Sequence, residues 1–351
     1  MKKKILSFLL GLCLCISFAL PLYAIDGPIN ADDDAELVIP TLEMTTIPTG
    51  AAAIAHNLIT NQTYYYRVNG NILPSVDGTF SEPGWMPEGV SVNHVIGSDN
   101  REFISDTQEA PCRAIAFLEI YFPYGDPDCG TATMISPNAA LTAAHCLYDT
   151  SRGGWATRVV VRPATSGSVN NPLNPYGTAE ATEIVMSIPY FETENSLNGD
   201  WAVMRLSSNI GNSSGFLGFQ YIARNMESES AVISGYPNDK NGYTITTEDG
   251  KEFIRTAFDQ YWGSGEIDDD VTCTPYIASN TTSYQNRRFE YEIDATGGQS
   301  GAPILYRNDD SYQIIGMHIA GITTESNVYN MGYALTYQVF NFLWSYKNNP
   351  Q

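Results

Sequence analysis

Three residues of this sequence could together attack a carbonyl carbon: a histidine, an aspartate and a serine. His145 is followed directly by Cys146, so a disulfide could hold the imidazole where a base is needed. Asp200 enters an apolar run, and a buried carboxylate there needs a partner, which a histidine N–H can supply. Ser300 lies between glycines that let the backbone turn tightly. These residue types predict a base, an acid that orients it and a nucleophile.

The serine motif also offers donors for a developing negative charge. Its sequence is Gly297-Gly298-Gln299-Ser300-Gly301-Ala302-Pro303. The N–H groups of Gly298 and Ser300 can form an oxyanion hole, in which one donor stabilises the transition state by about 3 kcal/mol. A Gly-rich serine loop alone is often only a turn, and a Cys-His pair alone could bind zinc. The chain has only four histidines and lacks a second Cys-x-x-Cys or histidine cluster, which argues against zinc.

Short β-strands separated by turn-rich segments must position these motifs. Gly, Asn, Pro and Ser clusters separate runs of alternating or β-branched residues, a pattern typical of a sandwich or barrel. Apolar residues at helical spacing from Leu335 to Tyr346 predict a C-terminal helix. The strands are predicted at Ala114–Tyr121, Arg158–Arg162, Ala231–Ile233, Tyr243–Thr247, Phe289–Ile293 and Gln313–His318.

The first 94 residues differ from the rest of the chain. A basic head, an apolar run and a small residue at Ala24 predict a secretory signal peptide over residues 1–24, rather than a membrane anchor. Residues 25–94 contain no cysteine, an acidic run and scattered prolines, so we expect a propeptide that is removed. The alternative is an N-terminal extension that stays.

Charge and cysteine content limit the function classes. The formal net charge of −21 would repel phosphate backbones and anionic lipid, so we expect no binding to nucleic acid or to a membrane after signal removal. Four cysteines follow the signal segment, and four allow three disulfide pairings. Free thiols are the less expected alternative in an exported chain.

Taken together, the motifs resemble those of the bacterial glutamyl endopeptidases, a branch of the chymotrypsin-type serine proteases. The resemblance rests on Thr142-Ala143-Ala144-His145-Cys146, Asp200-Trp201-Ala202-Val203, the serine motif and Val95-Ile96-Gly97-Ser98-Asp99. It covers roughly residues 95–348. It implies an all-β chymotrypsin-like double β-barrel with a C-terminal helix. Residues 95–222 would form the barrel that carries the histidine and aspartate, and residues 223–351 the barrel that carries the serine.

The resemblance also implies roles for the motif residues. His145 would be the general base, Asp200 its orienting acid and Ser300 the nucleophile of an acyl-enzyme mechanism. The implied disulfides are Cys129–Cys146, as the barrel disulfide of the family, and Cys112–Cys273 for the two remaining cysteines.

Specificity is implied at a second group of positions. His318 matches a family histidine that helps to bind a glutamate side chain at P1, the residue before the scissile bond, and the amine of a new N-terminus at Val95 would assist it. The backbone of Ile319, Ala320 and Gly321 would pair with the substrate as an added strand. The family threonine is replaced by Ala295, with Thr296 one place later, and Asp294 stands where trypsin-like enzymes select Lys or Arg.

The sequence therefore predicts a secreted, extracellular, monomeric serine endopeptidase that acts on proteins or peptides without a cofactor and prefers Glu at P1. Preference for Lys, Arg or another P1 residue is the alternative within this class. A protease of the same fold that cleaves a single target is a further alternative. The alternative from another class is a non-catalytic relative that binds a host protein. We interpret the acidic run at Glu266 and Asp268–Asp270 as solvated rather than as a Ca²⁺ site.

Overall fold

The structure, a computed structural model, describes residues 35–38, 47–68, 90–91, 95–247, 250–308, 311–323 and 327–348. All of them lie in one compact unit, residues 33–351. The predicted signal peptide, residues 1–24, lies outside the described residues, as does most of the predicted propeptide. No helix among the described residues is long and apolar enough to cross a membrane.

Short β-strands are the main regular elements of the described chain. The first half has fifteen of them: β1 (Ala35–Val38), β2 (Ala53–Asn57), β3 (Gln62–Val68), β4 (Val90–Ser91), β5 (Glu102–Phe103), β6 (Ile115–Tyr121), β7 (Asp128–Ser136), β8 (Ala139–Thr142), β9 (Tyr148–Asp149), β10 (Gly154–Trp155), β11 (Arg158–Pro163), β12 (Ser166–Ser168), β13 (Asn171–Leu173), β14 (Ala179–Met186) and β15 (Ala202–Leu206).

The second half has nine: β16 (Ser230–Gly235), β17 (Gly242–Thr247), β18 (Gly250–Arg255), β19 (Tyr261–Glu266), β20 (Asp269–Ile277), β21 (Ser283–Tyr291), β22 (Pro303–Asn308), β23 (Ser311–Thr323) and β24 (Val328–Ala334). The helices are α1 (Ile188–Thr193), α2 (Gly211–Ser214), α3 (Tyr337–Asn348) and the 3₁₀ turns Cys112–Ala114, Ala144–Cys146 and Thr150–Arg152. Each strand predicted from the sequence overlaps one of these, and α3 confirms the predicted C-terminal helix.

The first sheet closes on itself. Its order is β1-β3-β2-β14-β11-β6-β7-β8-β15, and β15 also pairs with β14, so six strands form a barrel. The second sheet has the order β20-β21-β24-β23-β22-β16-β19-β5, with β4 paired to β23. Apolar side chains of both sheets and of α3 form the main core. A barrel has no free edge inside the closed ring, which gives the residues at its strand ends fixed positions.

Part of the predicted propeptide belongs to the first sheet. Strand β2 pairs with β14, and β2 and β3 form an antiparallel pair. Buried Glu183 on β14 accepts hydrogen bonds from the hydroxyls of Tyr64, Tyr66 and Tyr346, the last two at 2.8 and 2.6 Å. Residues 47–68 are thus packed against the barrel and the C-terminal helix. The sequence alone, with its prolines and acidic run, indicated a uniform propeptide over residues 25–94.

Candidate active site

The strand register brings His145 and Asp200 together. Strands β8 and β15 are antiparallel, with Thr142 opposite Ala202. The chain continues from Thr142 into the 3₁₀ turn that contains His145, and Asp200 lies just before β15. His145 Nδ1 is 2.7 Å from Asp200 Oδ2, and the His145 backbone N–H donates to Asp200 Oδ1 at 3.0 Å. The carboxylate therefore holds both the ring and the backbone of the histidine.

The environment of His145 favours its protonated form. Burial alone would lower the pKa of His145, but the charge and hydrogen bond of Asp200, with a smaller contribution from Cys146, outweigh burial and raise the pKa well above the usual value of 6.5. The Asp200 side chain is fully buried, whereas 27% of the His145 side chain is exposed. A partly exposed imidazole backed by a buried carboxylate can accept a proton from a neighbouring group and return it.

The Ser300 turn depends on two glycines with positive φ. Gly298 has φ +90° and Gly301 has φ +81°. A Cβ at Gly298 would lie 2.5 Å from the Tyr236 carbonyl oxygen, and one at Gly301 would collide with Thr142 Oγ1. The close approach of the turn to both sheets thus requires glycine at these positions.

The same turn places Ser300 beside the His145 segment. The Ser300 carbonyl oxygen accepts a 2.8 Å hydrogen bond from the Thr131 N–H and lies 3.7 Å from Cys146 Sγ. Among the described residues, no hydrogen bond joins Ser300 to His145. Catalytic hydrogen bonds are often long or poorly aligned without substrate.

Two N–H groups of the serine turn are available to an incoming oxygen. The Gly298 carbonyl is held by the Thr131 hydroxyl at 2.8 Å, and the Gln299 N–H donates to the Thr296 carbonyl at 3.0 Å. Within the part of the chain that the structure describes, the N–H groups of Gly298 and Ser300 have no acceptor. Unpaired N–H groups on a serine and on the residue two places before it can serve as the donors of an oxyanion hole.

His318 is buried beneath this site and has one unpaired ring nitrogen. Its Nδ1 is 2.8 Å from the Tyr291 hydroxyl, and its Nε2 has no partner among the described residues. The arrangement that satisfies the hydroxyl proton has Tyr291 donating to Nδ1, which leaves the ring proton on Nε2. Burial, with a smaller contribution from the charge of His145, lowers the pKa of His318 to about 3. The imidazole is therefore neutral at ordinary pH and has a free N–H donor.

Asp294 and Thr296 already have partners. The Asp294 carboxylate accepts hydrogen bonds from the backbone N–H groups of Ile96 and Asn100, at 2.7 and 2.9 Å. The Thr296 hydroxyl donates to Asp239 and accepts from Arg101 at 3.1 Å. Both polar groups are thus used by contacts within the protein.

The predicted substrate strand has a partner at one end. Ile319, Ala320 and Gly321 lie in β23, whose register with β24 shifts between His318 and Ala320. Strand β4 pairs with β23 in an antiparallel manner, with Ser91 opposite Gly321 and Val90 opposite Ile322. Residues just before the predicted mature N-terminus therefore pair with the end of the segment that was predicted to bind a substrate strand.

Comparison with known proteins identifies the family. A family model described as trypsin matches residues 120–343. The chain is 32% identical to a glutamyl endopeptidase of Bacillus licheniformis over 74% of this chain and 71% of that protein. This chain belongs to the trypsin family of serine proteases. The resemblance to the glutamyl endopeptidases is thereby confirmed, and the chain is a serine endopeptidase, a hydrolase that acts on peptide or protein substrates.

This serine endopeptidase is also similar to a solved structure and to a second Bacillus protein. A solved structure of a Glu endopeptidase in complex with MPD aligns with a TM-score of 0.55 and 28% identity, over 73% of this chain and all of that one. It confirms the predicted chymotrypsin-like double β-barrel. An extracellular metalloprotease of Bacillus subtilis is 26% identical over 99% of this chain and 97% of that protein. Among the described residues here, no group of three His, Cys, Asp or Glu side chains is placed to hold a metal ion.

The cysteines of the protease differ from the sequence expectation. Cys112, Cys129, Cys146 and Cys273 are all free thiols, so neither predicted disulfide is formed in this structure. Cys129 Sγ lies 3.2 Å from Asn238 Oδ1, whereas Cys146 Sγ lies against the Ser300 carbonyl. Cys112 precedes a strand of the first sheet, and Cys273 lies on β20 at one end of the second sheet. Each of the four thiols therefore has its own surroundings.

Sequence reasoning missed two residues near the site, Tyr291 and Arg101. Tyr291 lies at the end of β21, a strand that was predicted, but its partner His318 is 27 residues away. Arg101 contacts Asp239, Thr296 and Gln299, at separations of 138 to 198 residues. Such long-range pairs leave no local pattern in the sequence.

Proposed function

We propose that this serine endopeptidase uses His145, Asp200 and Ser300 as its catalytic triad. The observation that supports this most directly is the pair of hydrogen bonds between Asp200 and His145, beside a Gly-bounded Ser300. His145 Nε2 takes the proton from Ser300 Oγ as that oxygen attacks the scissile carbonyl carbon. The His145 Nδ1–H stays bonded to Asp200, which stabilises the imidazolium that forms.

The same proposal assigns the remaining steps of the reaction. The carbonyl oxygen becomes an oxyanion and accepts hydrogen bonds from the N–H groups of Gly298 and Ser300. The imidazolium of His145 then gives its proton to the leaving amine, the C–N bond breaks, and an acyl-enzyme remains. Water, deprotonated by His145, hydrolyses the ester and restores Ser300.

We propose that the preferred P1 residue is glutamate and that His318 Nε2–H donates to its carboxylate. A buried donor without a partner is costly, so a ligand that accepts its hydrogen bond is favoured. The approach of a carboxylate opposes the effect of burial and favours protonation of His318, which strengthens the contact. The trypsin-like alternative, selection of Lys or Arg by Asp294, is disfavoured because the Asp294 carboxylate already accepts two backbone hydrogen bonds.

The role of His318 is tested by its replacement with leucine. We expect the His318→Leu enzyme to lose its preference for Glu over Gln at P1 by about 10- to 100-fold in kcat/KM, which corresponds to about 1.5–3 kcal/mol for a hydrogen bond to a charged group. Cleavage is measured on matched peptides that differ only in P1 (Glu, Gln or Lys). The Tyr291→Phe variant keeps the imidazole but no longer fixes its tautomer, so its loss should be smaller.

Two results would contradict this assignment of the pocket. An unchanged Glu-to-Gln ratio in His318→Leu would remove His318 from it. Cleavage after Lys by the wild-type enzyme, lost in Asp294→Asn, would support the trypsin-like alternative. The Ser300 dependence of cleavage is unaffected by either result.

Export and activation complete the proposal. The signal-like residues 1–24 support secretion to the extracellular space, where the chain would act as a monomer. We propose that cleavage after His94 activates the enzyme, because Val90 and Ser91 are paired with the edge of β23 that substrate needs. The new amine at Val95 would then lie near the Asp294 region and assist the pocket.

Cleavage after residue 94 is expected to raise kcat/KM by at least about tenfold on a chromogenic peptide, because it releases the β23 edge for substrate pairing. Activity is followed while a protease specific for a site engineered there cuts the purified chain, and the new terminus is read by N-terminal sequencing. In the uncut chain, proline in place of Ser91, which lies opposite Gly321, disfavours the β4 pairing, so Ser91→Pro should raise basal activity. Equal activity before and after cutting would refute this activation step.

A further inference from the structure

Arg101 is a buried cation close to the serine turn. Its side chain is 0% exposed and forms ion pairs with Asp99 at 2.9 Å and with Asp239 at 2.5 Å. A buried guanidinium is tolerated when several acceptors receive its fixed set of donors. Lys240 Nζ adds a contact to Asp99 at 2.6 Å, so Asp99 is shared between two cations.

The same guanidinium reaches the loop that precedes Ser300. Arg101 Nη1 donates to Gln299 Oε1 at 3.0 Å and to Thr296 Oγ1 at 3.1 Å. Gln299 Oε1 also accepts the Thr296 N–H at 3.0 Å. The side chain of the residue between Gly298 and Ser300 is therefore fixed by two donors, one of them charged.

The segment around Arg101 holds this loop at its other end as well. The N–H groups of Ile96 and Asn100 bind the carboxylate of Asp294, six residues before Ser300. Residues 96–101 thus contact the loop through Asp294, Thr296 and Gln299. These contacts connect the segment after the proposed activation site to the residues that carry the proposed oxyanion donors.

We propose that Arg101 is a positioning residue for the oxyanion hole. By fixing the Gln299 side chain, it sets the orientation of the Gln299–Ser300 peptide group, which carries the N–H of Ser300. It also restrains Gly298, which directly precedes Gln299 and carries the second N–H. Donors stabilise an oxyanion only when they are oriented before the reaction. This inference rests on the catalytic roles proposed above and adds the residue that keeps the donors in place.

The test compares Arg101→Met with Arg101→Lys. We expect Arg101→Met to lower kcat by about 10- to 100-fold with KM within about twofold, less than the 10²- to 10³-fold loss on removal of an oxyanion donor. Lysine cannot bond Asp99, Asp239 and Gln299 at once, so Arg101→Lys should also lower kcat. Because lysine keeps the positive charge, this decrease should be smaller than that of Arg101→Met. The inhibition constant of a peptide aldehyde, which forms a tetrahedral adduct with Ser300, should rise by the same factor as kcat falls. Binding of the matched peptide amide should not change.

Arg287 provides a matched control. It is a buried arginine of the second sheet, paired with Asp270 and with two backbone carbonyls of residues 222 and 224. Arg287→Met should lower Tm without changing kcat or aldehyde affinity. Gln299→Met completes a double-mutant cycle. If Arg101→Met does not fold, Gln299→Met alone still tests whether the Gln299 side chain orients the oxyanion donors. When the two residues act together, the double variant is no slower than Gln299→Met alone.

Different results would contradict the role of Arg101 and the catalytic role of Ser300. If Arg101→Met behaves like Arg287→Met, with lower Tm and unchanged aldehyde affinity, or if its effect adds fully to that of Gln299→Met, Arg101 has only a structural role. If wild-type enzyme binds the aldehyde as tightly as a Ser300→Ala enzyme does, the catalytic proposal fails instead. The two failures are thus distinguishable.

Discussion

The Ser300→Ala enzyme is expected to lose about 10⁶-fold in kcat, because without Oγ no acyl-enzyme can form. The rest of the site remains in place, since the turn is fixed by Gly298, Gly301 and the bond from the Thr131 N–H to the Ser300 carbonyl. Alanine at this position keeps that carbonyl. Residual hydrolysis would come from donors that still stabilise attack by water.

Cleavage-site profiling measures this loss and the specificity together. The processed enzyme and its Ser300→Ala control digest casein, and mass spectrometry identifies every new terminus. Cuts after Glu that vanish in the control support both the nucleophile and the glutamate preference. Casein also separates general proteolysis from the two alternatives of a non-catalytic binding protein and a protease with a single target, neither of which would digest it. Cuts of equal rate with the control enzyme would exclude Ser300 as the nucleophile.

The motif residues were the predictable part of the site because their spacing relative to strands is local. His145 follows β8 by three residues and Asp200 precedes β15 by two, so a single antiparallel register, Thr142 opposite Ala202, brings them into contact. The Gly-rich turn around Ser300 likewise carries its backbone requirement in its own sequence. A resemblance to a family could therefore assign candidate residues before any coordinates.

The supporting contacts were not predictable, since their partners are far apart in sequence. Asp294 stands at the position that selects basic P1 residues in trypsin-like enzymes, and its carboxylate accepts hydrogen bonds from the N–H groups of residues 96 and 100. Thr296 stands one place after the position of the family threonine, and its hydroxyl lies between Arg101 and Asp239. A polar residue near a nucleophile can serve substrate or scaffold, and only the three-dimensional arrangement of donors and acceptors distinguishes the two.

The N-terminal region shows that part of the fold also could not be predicted from the sequence. Ala53–Asn57 gives no alternation of apolar and polar residues, because Ala53, Ile54 and Ala55 are all fully buried. A strand buried on both faces has no such period. Its pairing with β14 therefore left no sign in the composition of residues 25–94, which suggested only a removable segment. Processing at residue 94 and retention of β2 and β3 in the sheet are compatible, since β2 and β3 are held by pairing and by Glu183.

The Asp200→Asn enzyme is expected to lose about 10⁴-fold in kcat/KM while keeping its fold. Asparagine can retain one oxygen for the His145 backbone N–H, which Asp200 Oδ1 now accepts at 3.0 Å. Its amide then presents N–H groups to Nδ1, which stabilises the tautomer with the proton on Nε2. That nitrogen can no longer accept the Ser300 proton, so the base is present but in the wrong form.

The same variant should also shift the pH dependence. His145 must be neutral to act as a base, so wild-type activity falls as pH decreases through the raised pKa of His145, above 6.5. Burial lowers this pKa, whereas Asp200 and, to a smaller extent, Cys146 raise it. Without the Asp200 charge the pKa of His145 falls, so the decrease of activity on the acidic side of the profile (the acidic limb) moves to lower pH. The measurement is kcat/KM from pH 4 to 9 with a Glu peptide. Glu183→Gln, which alters a buried carboxylate bonded to tyrosines rather than to His145, should leave the limb in place. An acidic limb at the same pH in Asp200→Asn and wild type would mean that another group sets the protonation of the base.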